Sequence, residues 1–196
     1  GQVFSRCPSL LDEGWFVGLG DNNGKSEITL ANLGTATAVA DVYWWSTLGP
    51  VEGDNSVGIT IRPGRTTTIK IGDHVPGEDV VAAQIVRRRQ QVSAIALSSD
   101  KENQGTELVL PQTELSPKIM LAGLPNAGST VLSLFNPHDE TVLVKARGIR
   151  ANGSFDIQGL EEIAVKPYST VRVAVPTKAK LGGHAIELFA DKPIAA

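Results

Sequence analysis

A shift of 104 positions lays residues 15–71 of this chain over residues 119–175 without a gap, and this offset restricts the possible folds more than any other feature. Nine of the 57 pairs are identical, among them Asn32/Asn136, Gly49/Gly153 and Pro63/Pro167. Several are turn formers, where backbone geometry limits the residue type. A period this long exceeds that of short solenoid repeats and fits duplication of a whole domain. The stretch "ITLANLGTATAVADVYWW" (28–45) and its echo "LSLFNPHDETVLVKARGI" (132–149) share one rhythm of strand, polar turn and strand.

Between the turns apolar residues alternate with polar ones at period two, the mark of half-buried strands, and helix signals are absent. Strands are expected at 15–19, 26–32, 38–45, 57–62, 66–71, 80–87 and 92–97 in the first copy. In the second they are expected at 119–123, 130–136, 142–149, 161–166, 170–175 and 184–189, with a short start at Ile194. "RPGRT" and "KPYST" separate the fourth strand from the fifth, because proline cannot continue a central ladder. About seven short strands per copy predict an all-β chain of two tandem immunoglobulin-like antiparallel β-sandwich domains related by internal duplication. The expected boundaries are 1–104 for the first domain with its N-terminal extension, 105–118 for a linker and 119–196 for the second domain. Within the polar stretch 98–118, "ELVLP" is a candidate last strand of the first domain. The second copy has no counterpart of "SAIALSSD" before Ala196. The natural polypeptide is therefore expected to continue, with the second domain either incomplete here or closed differently.

Strand parity in 38–45 points Ala40, Val42 and Trp44 inward and Asp41, Tyr43 and Trp45 outward. The second copy places Val144, Ala146 and Gly148 inward, with Lys145 and Arg147 outward. A core Trp44 would cost about 3–5 kcal/mol to truncate. Trp45 beside Tyr43 on the outer face is either a stacking platform for a sugar ring or an aromatic pair covered by a loop, and coverage is the preferred reading. Trp15, matched to Ile119, is expected to pack in the core or between domains.

The search for chemistry is brief. Net charge is -3, which disfavours a nucleic-acid partner, since phosphate neutralisation needs a clustered basic surface. The dense run Arg87-Arg88-Arg89 is expected to be a solvated hairpin tip, with contact to an anionic lipid or polymer as the alternative. The single Cys7 excludes an internal disulfide framework and a multi-cysteine zinc site. His138 sits in "HDE", whose counterpart is the plain turn "GTA", so it reads as turn filler. His74 and His184 show no spacing that defines a triad or zinc site. "DNNGKSE" (21–27) lacks the acidic positions of a calcium loop and reads as a hairpin turn. Asn32 and Asn136 precede their turns, where side-chain hydrogen bonds to turn backbone explain both. No cofactor, catalytic residue or metal ligand is expected.

"WFVGLGDNNGKSEITLANLGTATAVADVYWWSTLGPVEG", "IRPGRTTTIKI" and "VVAAQIVRRRQQVSAIALSSD", together with Cys7-Pro8 and the second-copy segments from "VLSLFNPHDETVLVKARGIRANGSF" to "HAIELFADKPIAA", resemble the actinobacterial domain of unknown function 5719 family. The resemblance covers most of residues 7–196, and its motifs are structural. It implies an extracytoplasmic body, secreted or held by an anchor outside this chain, and brings no active site. Gly1 in place of methionine is read as trimming of an upstream signal or anchor. The expected function is a non-catalytic scaffold or protein-interaction module of the cell envelope, with an unidentified protein or cell-wall glycan as partner. The alternative is a carbohydrate-binding module. The candidate ligand or partner surface comprises Tyr43, Trp45, Arg87, Arg88 and Arg89.

Overall fold

Apolar side chains on alternate positions of an extended segment can be buried together only if that face of the sheet meets a second one. The computed structural model of the chain resolves this need with antiparallel sheets and no α-helix, a single 3-10 turn at Ile71–Asp73 being the exception among the described residues. The structure describes residues 10–22, 24–52, 56–100, 106–122, 130–176 and 185–196. Cys7, Pro8, His184 and most of "PNAGSTV" lie outside them. The chain divides into two compact units, Gly1–Glu114 and Leu115–Ala196.

The first unit contains β1 (Leu10–Leu11), β2 (Glu13–Leu19), β3 (Gly24–Ala31), β4 (Ala38–Ser46), β5 (Gly49–Val51), β6 (Ile59–Ile61), β7 (Thr66–Lys70), β8 (Val81–Arg89), β9 (Val92–Asp100) and β10 (Thr106–Val109). One sheet runs β9-β3-β7, with β1 and β10 both on the outer edge of β9. The other runs β2-β8-β4, with β5 and β6 both on the edge of β4. Their inner faces share one core of Phe16, Ile28, Leu30, Val42, Trp44 and Ile85 with their neighbours. "ELVLP" supplies β10, paired to β9. The turn 21–27 is not a hairpin: β2 and β3 lie in different sheets, so the chain crosses the sandwich there. The amide of Asp21 donates to the Glu78 carbonyl at 2.9 Å, which ties the crossing to the segment before β8.

The second unit contains β11 (Ser116–Leu121), β12 (Thr130–Phe135), β13 (Val142–Arg150), β14 (Gly153–Asp156), β15 (Ile163–Val165), β16 (Thr170–Val175) and β17 (Ala185–Ile194). One sheet runs β11-β17-β13, with β14 and β15 on the edge of β13, and the other pairs β12 with β16. Its core gathers Leu132, Leu134, Val144, Ala146, Ile186 and Leu188. The 104-residue offset holds at the level of backbone pairs. Leu30 faces Thr67 as Leu134 faces Val171. Ala38 faces Ile61 as Val142 faces Val165. Trp44 faces Val51 as Gly148 faces Phe155. The short strands β5 and β14 were not among the expected elements, because three or four residues after a turn carry too little alternation to register.

Two asparagines hold this frame. The buried Asn32 side chain donates from Nδ2 to the carbonyls of Ala36 (2.8 Å) and Ile61 (2.9 Å), and its Oδ1 accepts the Gly34 amide at 2.9 Å. Asn136 donates from Nδ2 to Glu140 (2.7 Å) and Val165 (3.0 Å), and accepts the His138 amide at 2.9 Å. Each carboxamide thus satisfies a turn and a strand of the opposite sheet together, which aspartate cannot do because it has no donor. Replacing Asn32 or Asn136 by Asp should cost about 2–4 kcal/mol, since buried carbonyls lose their donors and face a charge. Urea unfolding of the two variants would measure it; a loss under about 0.5 kcal/mol at either site would show that the bonds are dispensable.

The equivalent core positions 44 and 148 are filled in opposite ways. In the first unit the large side chain is Trp44, 2% exposed, facing Val51. In the second, the Phe155 ring occupies the space above Gly148, where an added Cβ would lie 2.2 Å from Phe155 Cζ. The Arg150 guanidinium covers this ring at 4.0 Å. Gly148→Ala should therefore cost about 1–3 kcal/mol by overpacking, and much less in a Phe155→Val background. A double-mutant cycle on thermal stability reads the coupling, and additive losses would contradict the contact.

Candidate functional site

The expected surface residues lie on the outer face of the β2-β8-β4 sheet and at its hairpin end. Register places Trp15, Gln84 and Tyr43 in one row across this face, with Trp45 opposite Ala82 in the next. Strand parity holds, since Ala40, Val42 and Trp44 enter the core. Asp41, expected in solvent, is instead buried at 1% exposure. A register shift between Val39 and Ala40, where Arg89 and Arg87 are their partners, inserts Arg88 as an extra residue in β8. Such a bulge re-aims its side chain. Here the Arg88 guanidinium comes down over Asp41.

The result is a closed polar cluster. Arg88 Nε donates to Asp41 Oδ2 in an ion pair, and its Nη2 donates to the Tyr43 hydroxyl at 2.8 Å. The Gly58 amide donates to Asp41 Oδ1 at 2.7 Å, and the Tyr43 hydroxyl lies 3.4 Å from Oδ2. Burial pushes the Asp41 carboxyl up, but the Gly58 amide, Arg88 and Tyr43 together outweigh it and hold the group below the ordinary carboxylate value. The hydrogen bond and charge of Asp41 in turn raise Arg88. Of the arginine run, Arg87 pairs with Asp12 through Nε at 2.6 Å, Arg88 joins the cluster, and Arg89 is exposed next to Gln90, which takes φ 55 at the hairpin turn. All three arginines are exposed beside the hairpin turn, but Arg87 and Arg88 each pair with an aspartate, so the three cations have three different surroundings.

Trp45 is half-buried, and its ring lies 5.4 Å from that of Trp15 at an interplanar angle of 41°. Trp15 is 6% exposed but stands outside the main core, on the Gln84 side of the sheet. Its match to Ile119 fails by one residue: Ile119 faces Leu188 and packs on the second core, whereas Met120 faces Glu187 on the outer side. On the corresponding face of the second unit, Asp156 Oδ1 is approached by Lys145 Nζ at 2.9 Å and Arg147 Nε at 3.3 Å. The hydrogen bond and charge of Lys145, with a smaller contribution from Arg147, hold Asp156 below its ordinary value.

Among the described residues, His74 and His138 act within the frame. His74 stacks on Trp44, with centroids 5.6 Å apart, and its Nδ1 is 3.3 Å from Ser56 Oγ, which accepts the Trp44 indole N–H at 2.7 Å. Ser56 is 3% exposed and satisfies the buried indole donor. His138 places Nε2 2.7 Å from the Pro193 carbonyl. Among the described residues no group of three His, Cys, Asp or Glu side chains is arranged to hold a metal ion, and no helix is long and apolar enough to cross a membrane.

Asp41 is the residue that sequence reasoning assigned to the wrong environment. The composition signal was available in an acid two positions from Tyr43 and an arginine in β8. The bulge that brings them together was not.

Because both lowered carboxyls are ionised and paired in the fold, their contribution is complete above about pH 4, the ordinary carboxylate range, and disappears as pH falls through the lowered native values. Stability should be level from pH 7 to 5 and fall below about pH 4. Asp41→Asn should cost about 1–2 kcal/mol at pH 7 and flatten part of that decline. A decline of unchanged steepness in the variant would remove Asp41 from its cause.

A family model described as "Family of unknown function (DUF5719)" matches residues 5–196. The chain belongs to that family. No curated protein matches it.

Proposed function

We propose that this family member is a non-catalytic, extracytoplasmic scaffold or protein-interaction module of the actinobacterial cell envelope, secreted or held by an anchor outside this chain. We further propose that its two units are tandem immunoglobulin-like sandwiches that arose by duplication. The observation that carries the reading is that the register of β3–β7, β4–β5 and β4–β6 and the asparagine anchor recur at one offset in β12–β16, β13–β14 and β13–β15, while the outward chemistry does not. Asp41, Tyr43 and Trp45 become Lys145, Arg147 and Ile149. A duplicated frame with two unrelated outer faces suits a protein selected for its shape and its contacts more than for one shared reaction.

The immunoglobulin comparison is supported by the central pairs. In a constant-type sandwich B lies beside E, and C beside F; β3 beside β7 and β4 beside β8 reproduce these relations. The end strands are exchanged. β2 stands next to β8, where the last strand of an immunoglobulin domain would lie, and β9 stands next to β3, in the place of the first. The envelope location rests on the family resemblance alone.

A glycan platform would use the same outer face, but a Trp15–Trp45 pair tilted by 41° presents no flat stacking surface, and the Tyr43 hydroxyl is engaged by Arg88. Crosslinking in native envelopes should recover protein neighbours, while a glycan array stays blank for the wild type and for Trp45→Ala. Array binding that is lost in Trp45→Ala, or crosslinking that recovers no protein, would overturn the reading.

A further inference from the structure

One turn recurs in both units with different residues in it. In the first unit Thr47 and Leu48 join β4 to β5, and the turn closes with Ser46 facing Gly49, which takes φ 124. In the second, Ala151 and Asn152 join β13 to β14, and Arg150 faces Gly153, which takes φ 129. Each glycine holds a conformation that side chains disfavour. Leu48 shows that the residue before the glycine needs no amide, so the turn itself does not call for Asn152. The other described asparagines are engaged. Asn22 donates to Asp79 at 2.9 Å, and the buried Asn32 and Asn136 are held through both ends of their carboxamides. Asn136 is followed by Pro137, whose nitrogen carries no hydrogen. Asn152 is exposed, and among the described residues no hydrogen bond holds its carboxamide. Alone among the described asparagines it precedes a glycine; Asn23, which precedes Gly24, lies outside them.

We propose that Asn152 and Gly153 form a self-modification site, at which the Asn152 amide is converted to an acid by the chain's own backbone and water. The Gly153 nitrogen gives its proton to water or hydroxide and attacks Cγ of Asn152. A bond forms between them, the Cγ–Nδ2 bond breaks, and the amide nitrogen leaves as ammonia. The cyclic imide then takes up a water molecule. Addition at Cγ yields aspartate. Addition at the main-chain carbonyl carbon of residue 152 yields isoaspartate, in which the chain runs on through Cγ. Either way the balance is a water consumed and an ammonia released.

The ring can close only when the Gly153 nitrogen leaves its place opposite Arg150. That pair is the end of a four-residue strand, and among the described residues β14 is paired on the β13 side alone. Pairs at the end of a short edge strand open at little cost in free energy. Glycine then offers no Cβ to crowd the attack. The space around it is open, since a Cβ placed there would meet nothing within 4 Å, so water reaches the imide. The two products differ in their effect. Register from Arg150–Gly153 to Arg147–Asp156 sets the Phe155 ring above Gly148, under the Arg150 guanidinium. Aspartate leaves this register as it is. Isoaspartate adds a methylene to the main chain inside the turn, which loosens β14 and the aromatic that packs on the second core.

The test is to hold the 196-residue chain in mildly alkaline buffer, folded and in urea, and to map its peptides over days by mass spectrometry with fragmentation that separates aspartate from isoaspartate. Both products are expected at residue 152 of the folded chain, at least tenfold faster than at Asn32 or Asn136 and at a rate within about tenfold of that in urea. The melting temperature should fall as isoaspartate accumulates there. Asn152→Leu, which places at this turn the residue type of Leu48, should abolish the products at 152 and that fall together; Asn152→Gln serves as the second variant. A folded-state rate more than tenfold below the urea rate would show that the Arg150–Gly153 pair locks the turn, and equal rates at Asn152 and Asn32 would remove what sets the site apart. Either result overturns the inference. A fall in melting temperature that is unchanged in both variants would overturn the link to β14.

Discussion

Everything in each unit depends on one buried carboxamide joining a turn to a strand of the facing sheet. A sandwich must bury two apolar faces and still satisfy the backbone at the places where the chain leaves one sheet for the other. Asn32 and Asn136 solve this with one side chain each, donating across the core edge and accepting from the turn beneath. The bonds fix how the β3–β7 and β12–β16 pairs meet the strands β6 and β15. The positions of the outward residues follow from that meeting.

With the frame set in this way, the two units differ in their cores and outer faces. Trp44 with Val51, and Gly148 with Phe155, place a large aromatic on opposite strands of a matching pair. On the outer faces the difference is electrostatic. One is organised around a buried carboxylate under an arginine and a tyrosine, and the other around an exposed carboxylate between a lysine and an arginine. Both clusters use their charges locally, within the sheet that carries them.

The alternation in residues 38–46 and 142–150, the turn asparagines and the proline-marked breaks were legible because each depends on a local rule: period two for a strand, a short polar side chain before a turn, a missing N–H at proline. They located most of the strands and put Trp44 in the core. The pairing of β2 with β8 and of β9 with β3 was not legible, because β2 and β9 have the same alternation whichever neighbour they take. Nor was the slip that puts Met120, and not Ile119, at the place of Trp15. An ungapped alignment cannot register a one-residue change in strand pairing, yet such a change turns every side chain to the other face.

By itself, then, the sequence determined an all-β chain with a repeated strand pattern, its inward residues and its turn anchors, since these follow from interactions between near neighbours along the chain. Tertiary structure alone decided that Asp41 is buried, that the three adjacent arginines have three different surroundings, and that Met120 stands at the place of Trp15. These depend on which strand lies beside which, and on a bulge in β8, and pairing of that kind is settled by contacts between residues tens of positions apart.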